Sequence, residues 1–310
     1  SWLTLMIGYH VLGIWYWCTD QFIVQRVLAG KNINHARSGA IFAGFLKILP
    51  VFILVLPGLI AAALFGTTGD EAYPTLVTSY LLPAGIKGLV IASLLAALMS
   101  SLASTFNSTS TLFTMDFYKQ YKPHATEREL VLIGRLATTV MVVMGILSVP
   151  LITMLSSQLF VYLQSVQAYI SPPIAAVFIL GIAWKRLNGR GAIWALVCGA
   201  VIGALRFITE ILMKSGLVDL GGFQWFAAMN FLHFAVFLFV ISTVIIITVS
   251  LFTSAPAKEK IAGLTIAGAA DIENEYTIRM EATSPTWTRA NKLLSIALVL
   301  IVFILWGVFF

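Results

Sequence analysis

Between Lys87 and Asp116 the chain carries no charged residue, and the run is mostly apolar from Gly88 onward. A bilayer's hydrocarbon, about 30 Å thick, takes roughly 20 helical residues at ~1.5 Å each. With no water to satisfy it there, the backbone must bond to itself, so such a run crosses as helix. Its middle is dense in small hydroxyl residues: Ser93, Ser100, Ser101, Ser104, Thr105, Ser108, Thr109 and Ser110. Ala97, Ser100 and Ser101 stand at i, i+3 and i+4 and share one helical face. Two hydroxyl oxygens, with the Ala97 carbonyl if the helix loosens there, offer neutral oxygen ligands to a small hard cation. With no carboxylate present, such a site suits a monovalent ion better than Ca²⁺. The plainer role for the same serines is to bond back to carbonyls one turn earlier and let helices approach closely.

The rest of the chain repeats the pattern. Charged residues make up 10% and hydrophobic residues 59%, against about 25% charged in soluble domains. The expected fold is all-α and polytopic, with about eight spans: Trp2–Trp17, Ala40–Phe65, Gly88–Phe113, Leu130–Leu151, Leu159–Trp184, Ile193–Met213, Trp225–Phe252 and Leu293–Phe310. Alternate connections are basic: Arg26, Lys31 and Arg37 in one, Lys119, Lys122 and Arg128 in the next, Lys185, Arg186 and Arg190 in the third. The connections between them hold few Lys or Arg, so the basic ones are expected in the cytoplasm and both chain ends outside. A long polar connection, 253–292, falls on the cytoplasmic side. The net charge of +6 belongs to these short loops and does not point to nucleic acid. Cys18 and Cys198 lie in or beside apolar spans and imply no disulfide framework. No signal peptide is visible, and the opening at Ser1 reads as part of a longer protein.

Polar residues at membrane depth are the next candidates. Lys47 lies inside the second span, where a lysine is either functional or snorkels to the surface. Gln164, before the Pro172-Pro173 pair in the fifth span, can donate to and accept from a sugar hydroxyl, or bond to another helix. Trp15, Tyr16 and Trp17 close the first span; their faces suit a pyranose ring, and equally an interfacial aromatic belt. Arg206 and Glu210, at i and i+4, read as a structural pair, and Asp20 as a helix-end partner of the same kind. Pro50, Pro57 and the double proline mark spans whose helices are expected to kink or break, a feature shared by transporter binding sites and inert packing. The four histidines are scattered, and HExxH, CxxC and phosphate-binding glycine loops are absent from the sequence. An enzyme is therefore not expected, and no pore-filter repeat points to a channel.

Several segments together resemble one family. Trp15-Tyr16-Trp17-Cys18-Thr19-Asp20-Gln21 with Val24-Gln25-Arg26-Val27-Leu28-Ala29, Gly44-Phe45-Leu46-Lys47-Ile48-Leu49-Pro50, and Ser100-Ser101-Leu102-Ala103-Ser104 with Asn107-Ser108 are similar to the sodium/glucose cotransporter branch of the solute:sodium symporters. So are Leu112 to Asp116, Tyr162-Leu163-Gln164-Ser165, Pro172 to Phe178, and Lys185-Arg186 before Gly191-Ala192. The resemblance implies the second half of a LeuT-type five-plus-five inverted repeat. Residues 1–184 would be core helices 6 to 10, 185–252 two added helices, 253–292 a cytoplasmic loop and 293–310 a final helix. The first repeat, which in the family supplies other sodium ligands and sugar contacts, would be the missing N-terminal half of the same protein.

By the same resemblance, sodium falls on Ala97, Ser100 and Ser101. Sugar contacts fall on Lys47 and Gln164, and the aromatic inner gate on Tyr16 with Trp17 beside it. Gly13 stands where a bacterial galactose member has a sugar-touching Asn, and Ala103 where members using two sodium ions have a Thr. The first leaves the sugar open and the second favours one sodium per cycle. The expected function is sodium-coupled symport of a sugar such as glucose or galactose across the cell membrane, with Na⁺ as coupling ion and no other cofactor. The alternatives are a polyol such as myo-inositol or another small solute, and a sugar sensor without coupled transport.

Overall fold

The computed structural model describes residues 2–67, 69–155, 158–214, 221–266 and 285–309. In chain order its helices are α1 (Trp2–Cys18), α2 (Gln21–Leu28), α3 (Ile33–Leu46), α4 (Leu56–Phe65), α5 (Ala72–Thr78), α6 (Ala84–Leu112), α7 (Lys119–Tyr121), α8 (Glu127–Leu155), α9 (Leu159–Ala183), α10 (Gly189–Lys214), α11 (Gln224–Ala228), α12 (Phe231–Phe252), α13 (Lys258–Ile261) and α14 (Pro285–Phe309). No strand occurs among the described residues. Two wider, π-helical segments, Val51–Val55 and Phe113–Tyr118, lead into α4 and follow α6.

Seven described helical stretches are long and apolar enough to cross a membrane. The protein is thus an all-α polytopic membrane protein. The expected first span, α1, has 17 residues, near the lower limit for a crossing of about 17. Three expectations about boundaries change. Trp225–Phe252 is not one helix: Asn230 caps α12, its side chain accepting from Leu232 N at 2.9 Å, and separates it from α11. The double proline does not break α9, which runs through Pro172 and Pro173. The long connection is shorter than 253–292, because α14 begins at Pro285; residues 267–284 of it, with Ser1, Thr68, 156–157, 215–220 and Phe310, lie outside the described residues.

The chain groups into two units, Ser1–Leu46 with Phe160–Phe310, and Lys47–Leu159. In the first, α12 packs against α1 and α10, burying Leu12, Ala168, Tyr169, Phe234, Ala235 and Leu238. Apolar area gains little by leaving lipid for protein, so membrane helices associate through close fit and polar contacts. Small residues supply the fit: Gly191, Ala195, Gly199 and Gly203 of α10 are all buried, at four-residue spacing. A Cβ at Gly199 would collide with Pro173, one at Gly203 with the Tyr169 carbonyl, and one at Gly191 with Ser250 Oγ. In the second unit α6 packs on α8, where a Cβ at Gly134 would come 2.6 Å from Ser110 Oγ.

Candidate functional site

α6 is a regular helix through Ala97, so the loosening expected at that carbonyl is absent; the ladder widens only later, at Phe113–Tyr118. Ala97, Ser100 and Ser101 are all exposed. The hydroxyls around them follow the plainer expectation. Ser93, Ser104, Thr105, Ser108, Thr109 and Thr111 each donate to the carbonyl one turn back, at 2.7 to 3.0 Å. Ser104 takes the Ser100 carbonyl and Thr105 the Ser101 carbonyl. The hydroxyls of Ser100 and Ser101 themselves make no such back-bond. Two adjacent side-chain oxygens on one face are thereby left to accept or ligate.

α1 ends just after its aromatic cluster. The Trp15 carbonyl accepts from Thr19 N at 3.0 Å, Asp20 N at 3.1 Å and Thr19 Oγ1 at 2.7 Å, which closes the last turn. Asp20 then caps α2 by accepting from Phe22 N at 3.0 Å, the helix-end role expected of it. Tyr16 is half-buried and Trp17 exposed. Their rings meet edge to face, with centroids 5.3 Å apart, and Trp15 lies tilted on Tyr16 at 6.4 Å. The chain therefore presents an aromatic shelf at a helix end.

Lys47 occupies the turn between α3 and the π-helical segment. The cause is local: Pro50 has no N–H to give the Leu46 carbonyl and its ring crowds that carbonyl, so α3 stops at Leu46. The wider turn over Val51–Val55 re-forms the ladder before α4. Lys47 is exposed. Gln164, half-buried on α9, has an amide that bonds to no described residue, so the interhelical bond expected as its plainer role is not made among them. Tyr16, Trp17 and Gln164 lie in the first unit, while Lys47 and the α6 face lie in the second.

The sequence reading missed most of one polar network. Arg206 Nη1 lies 3.3 Å from Glu210 Oε2, the expected pair, and Lys214 Nζ lies 2.7 Å from Glu210 Oε1. Tyr169 of α9 donates its hydroxyl to Glu210, and Arg206 Nη2 donates to the Met229 carbonyl at 2.9 Å. The Arg206 guanidinium also lies over the rings of Tyr169 and Phe234, 5.5 and 5.8 Å from their centroids. Its Nη1 contact is ionic without hydrogen-bond geometry, and Nε has no partner among the described residues. The four-residue stripe of small residues leading to Arg206 was the signal available in the sequence. Among the described residues no three His, Cys, Asp or Glu side chains gather as a metal site.

Comparison with known proteins gives close relatives. Over 286 residues the chain is 40% identical to the sodium/myo-inositol cotransporter 2 of Homo sapiens, covering 85% of this chain and 42% of that protein. Over 274 residues it is 44% identical to the sodium/glucose cotransporter 1 of Sus scrofa, covering 81% and 41%. A sodium/mannose cotransporter of Bos taurus is 42% identical over 287 residues, covering 85% and 48%. The chain thus spans less than half the length of these curated relatives. A model of the sodium:solute symporter family matches residues 1–199. That range holds the aromatic shelf of α1, Lys47, the hydroxyl face of α6 and Gln164, and by this match the chain belongs to the sodium:solute symporter family.

Proposed function

We propose that this chain supplies part of a secondary-active symporter that couples sodium entry to uptake of a sugar such as glucose or galactose, by alternating access across the cell membrane. The observation that carries the reading is the α6 face, where Ser100 and Ser101 keep their hydroxyls while Ser104, Thr105, Ser108 and Thr109 spend theirs on carbonyls. Ser100 and Ser101 form one side of a sodium site, which the Ala97 carbonyl joins in a conformation where the α6 ladder opens at that turn. One helical face cannot enclose a cation, so further oxygen ligands come from elsewhere in the transporter. Tyr16 stacks on the sugar with Trp17 beside it, and Lys47 and Gln164 bond to its hydroxyls. Residues 1–184 act as the second inverted repeat, 185–252 and α14 as added helices, and the connection between Phe252 and Pro285 as a cytoplasmic loop.

Sodium at α6 stabilises the outward-open state, which then takes the sugar better. That is a coupling free energy between two sites and is reciprocal. Ser101→Ala removes one oxygen at little cost to the helix. In the intact transporter it is expected to raise the sodium concentration for half-maximal uptake by roughly tenfold, the equivalent of ~1.4 kcal/mol, and to weaken sugar binding at subsaturating sodium. Ser104→Ala, whose hydroxyl is held by the Ser100 carbonyl, shifts that titration less. An unchanged sodium titration in Ser101→Ala makes these serines packing residues and removes the site. Gln164→Glu and Lys47→Ala are expected to weaken sugar binding with sodium dependence intact, a lost buried partner costing about 1–3 kcal/mol.

A second cargo, myo-inositol, is kept because the relatives include a sodium/myo-inositol cotransporter 40% identical to this chain. Competition between glucose and myo-inositol for sodium-driven uptake ranks the two.

A further inference from the structure

The contact between α3 and α14 is separate from every residue assigned to sodium or sugar. The two helices run parallel, as their paired residues rise together. His35 stacks on Trp287 with ring centroids 5.9 Å apart, Ser38 Oγ donates to Asn291 Oδ1 at 2.8 Å, and Gly44 meets Leu298. Both helices therefore begin at the same end of this seam. Beside it lies a cavity of about 380 Å³ lined by Asn34, Arg37, Ala40 and Ile41 of α3 and by Thr288, Asn291, Lys292 and Ser295 of α14.

Its chemistry is directional. Asn291 is 7% exposed, and with its Oδ1 engaged by Ser38, its Nδ2 donor is buried and has no partner among the described residues. A buried N–H left unpaired costs about 1–3 kcal/mol, so it calls for an acceptor. Asn34, Thr288 and Ser295 add neutral donors, Lys292 adds a positive charge, and no carboxylate is among the described residues of the lining. The first turns of two parallel helices add the positive ends of two dipoles. Every one of these features favours an anion with several acceptor oxygens. Ala40 and Ile41 give the lining an apolar wall. Both helices belong to stretches long and apolar enough to cross a bilayer. A free phosphate has no use for such a wall, whereas a lipid's glycerol and acyl segments do.

We propose that the α3–α14 cavity holds the phosphate headgroup of an anionic phospholipid, with Asn291 Nδ2 donating to a phosphate oxygen and Lys292 neutralising its charge. The basic connection that runs into α3 places this end at the cytoplasmic leaflet, where anionic lipids concentrate.

The test is native mass spectrometry of the intact protein in detergent, given phosphatidylinositol 4-phosphate, phosphatidylcholine or inorganic phosphate. Phosphatidylinositol 4-phosphate is expected to remain bound and phosphatidylcholine to leave. Asn291→Asp keeps the oxygen that Ser38 bonds and replaces the free donor with a negative charge; Lys292→Gln removes one positive charge. Each is expected to cut retention by roughly fivefold, the equivalent of about one basic contact, while Lys122→Gln, in the other unit, leaves it unchanged. If Asn291→Asp does not fold, Lys292→Gln alone decides the matter. Equal retention by wild type and both variants, or equal binding of phosphatidylcholine, overturns the proposal. Displacement of the lipid by inorganic phosphate at matching concentration assigns the cavity to a free anion and overturns it as well.

Discussion

Two clusters in this protein are built from the same parts, a tyrosine hydroxyl donated to a glutamate that a cation also holds. In the first unit Tyr169 and Arg206 meet Glu210, with Lys214 on its outer oxygen; in the second Tyr118 and Lys122 meet Glu129. The surroundings separate them. The side chains of Arg206 and Glu210 are 3% and 13% exposed, those of Lys122 and Glu129 53% and 28%. The first cluster ties α9 to α10 and, through the Met229 carbonyl, to the turn before α12. The second joins the end of the α6–α7 run to the start of α8. Identical chemistry thus fastens a core in one place and trims a helix end in the other. The same contrast runs through the helices: 39% of the α9 window is buried, and none of the α6 window.

The comparison breaks most sharply at Arg206. Arg206→Leu leaves Glu210 with Lys214 as its one cation beside the Tyr169 hydroxyl and frees the Met229 carbonyl; removing one partner of a buried pair costs about 3–5 kcal/mol. The melting temperature of the purified protein is expected to fall steeply. Arg206→Met with Glu210→Leu removes both charges and is expected to recover part of that loss. A double variant no better than the single one would mean that the ion pair is not what the core depends on.

Close fit is the next largest effect. Gly199→Leu drives a side chain into Pro173, and overpacking of this kind costs about 1–3 kcal/mol. Leu98→Ala on the exposed face of α6 is expected to stay within ~0.5 kcal/mol, as surface changes do. Matching losses of folded yield, read by size-exclusion chromatography, would erase the distinction between the two units.

The smallest effect belongs to Lys122. Its hydrogen bond to Glu129 raises its pKa above the ordinary lysine range. A raised lysine contributes fully below its unfolded pKa of ~10.4 and loses that contribution only as pH climbs through the higher folded value. The gap in melting temperature between wild type and Lys122→Gln is therefore expected to be small and the same at pH 7 and at pH 9. Divergence between those two pH values would show that the exposed cluster is coupled to the fold more tightly than its position implies.

What could be read in advance follows from how lipid acts on composition. A span must be apolar for its whole length, so seven of the eight were visible as windows, and the eighth, α1, was visible as a shorter one. The face of Ala97, Ser100 and Ser101 was visible because helical spacing alone creates it. Which hydroxyls back-bond and which do not was hidden, since Ser104 and Ser100 look alike in a sequence. The split at Met229–Asn230 was hidden by the apolar run on either side, although Asn230 is a favoured cap. The Tyr169–Glu210 and Ser38–Asn291 contacts join residues far apart in the chain, and no local pattern encodes them.

The widened turn at Val51–Val55 amounts to an α-helix carrying one residue more than its pitch needs. Each helical residue advances the side-chain direction by about 100°. Removing a single residue there and restoring an ordinary turn would swing Lys47 by that angle about the axis of α4 without altering a single side chain beyond the deletion. The bearing of this lysine is therefore set by a count of residues as much as by any contact it makes. A loss of one residue from the segment would be felt as a rotation, where loss of a side chain would be felt as a gap.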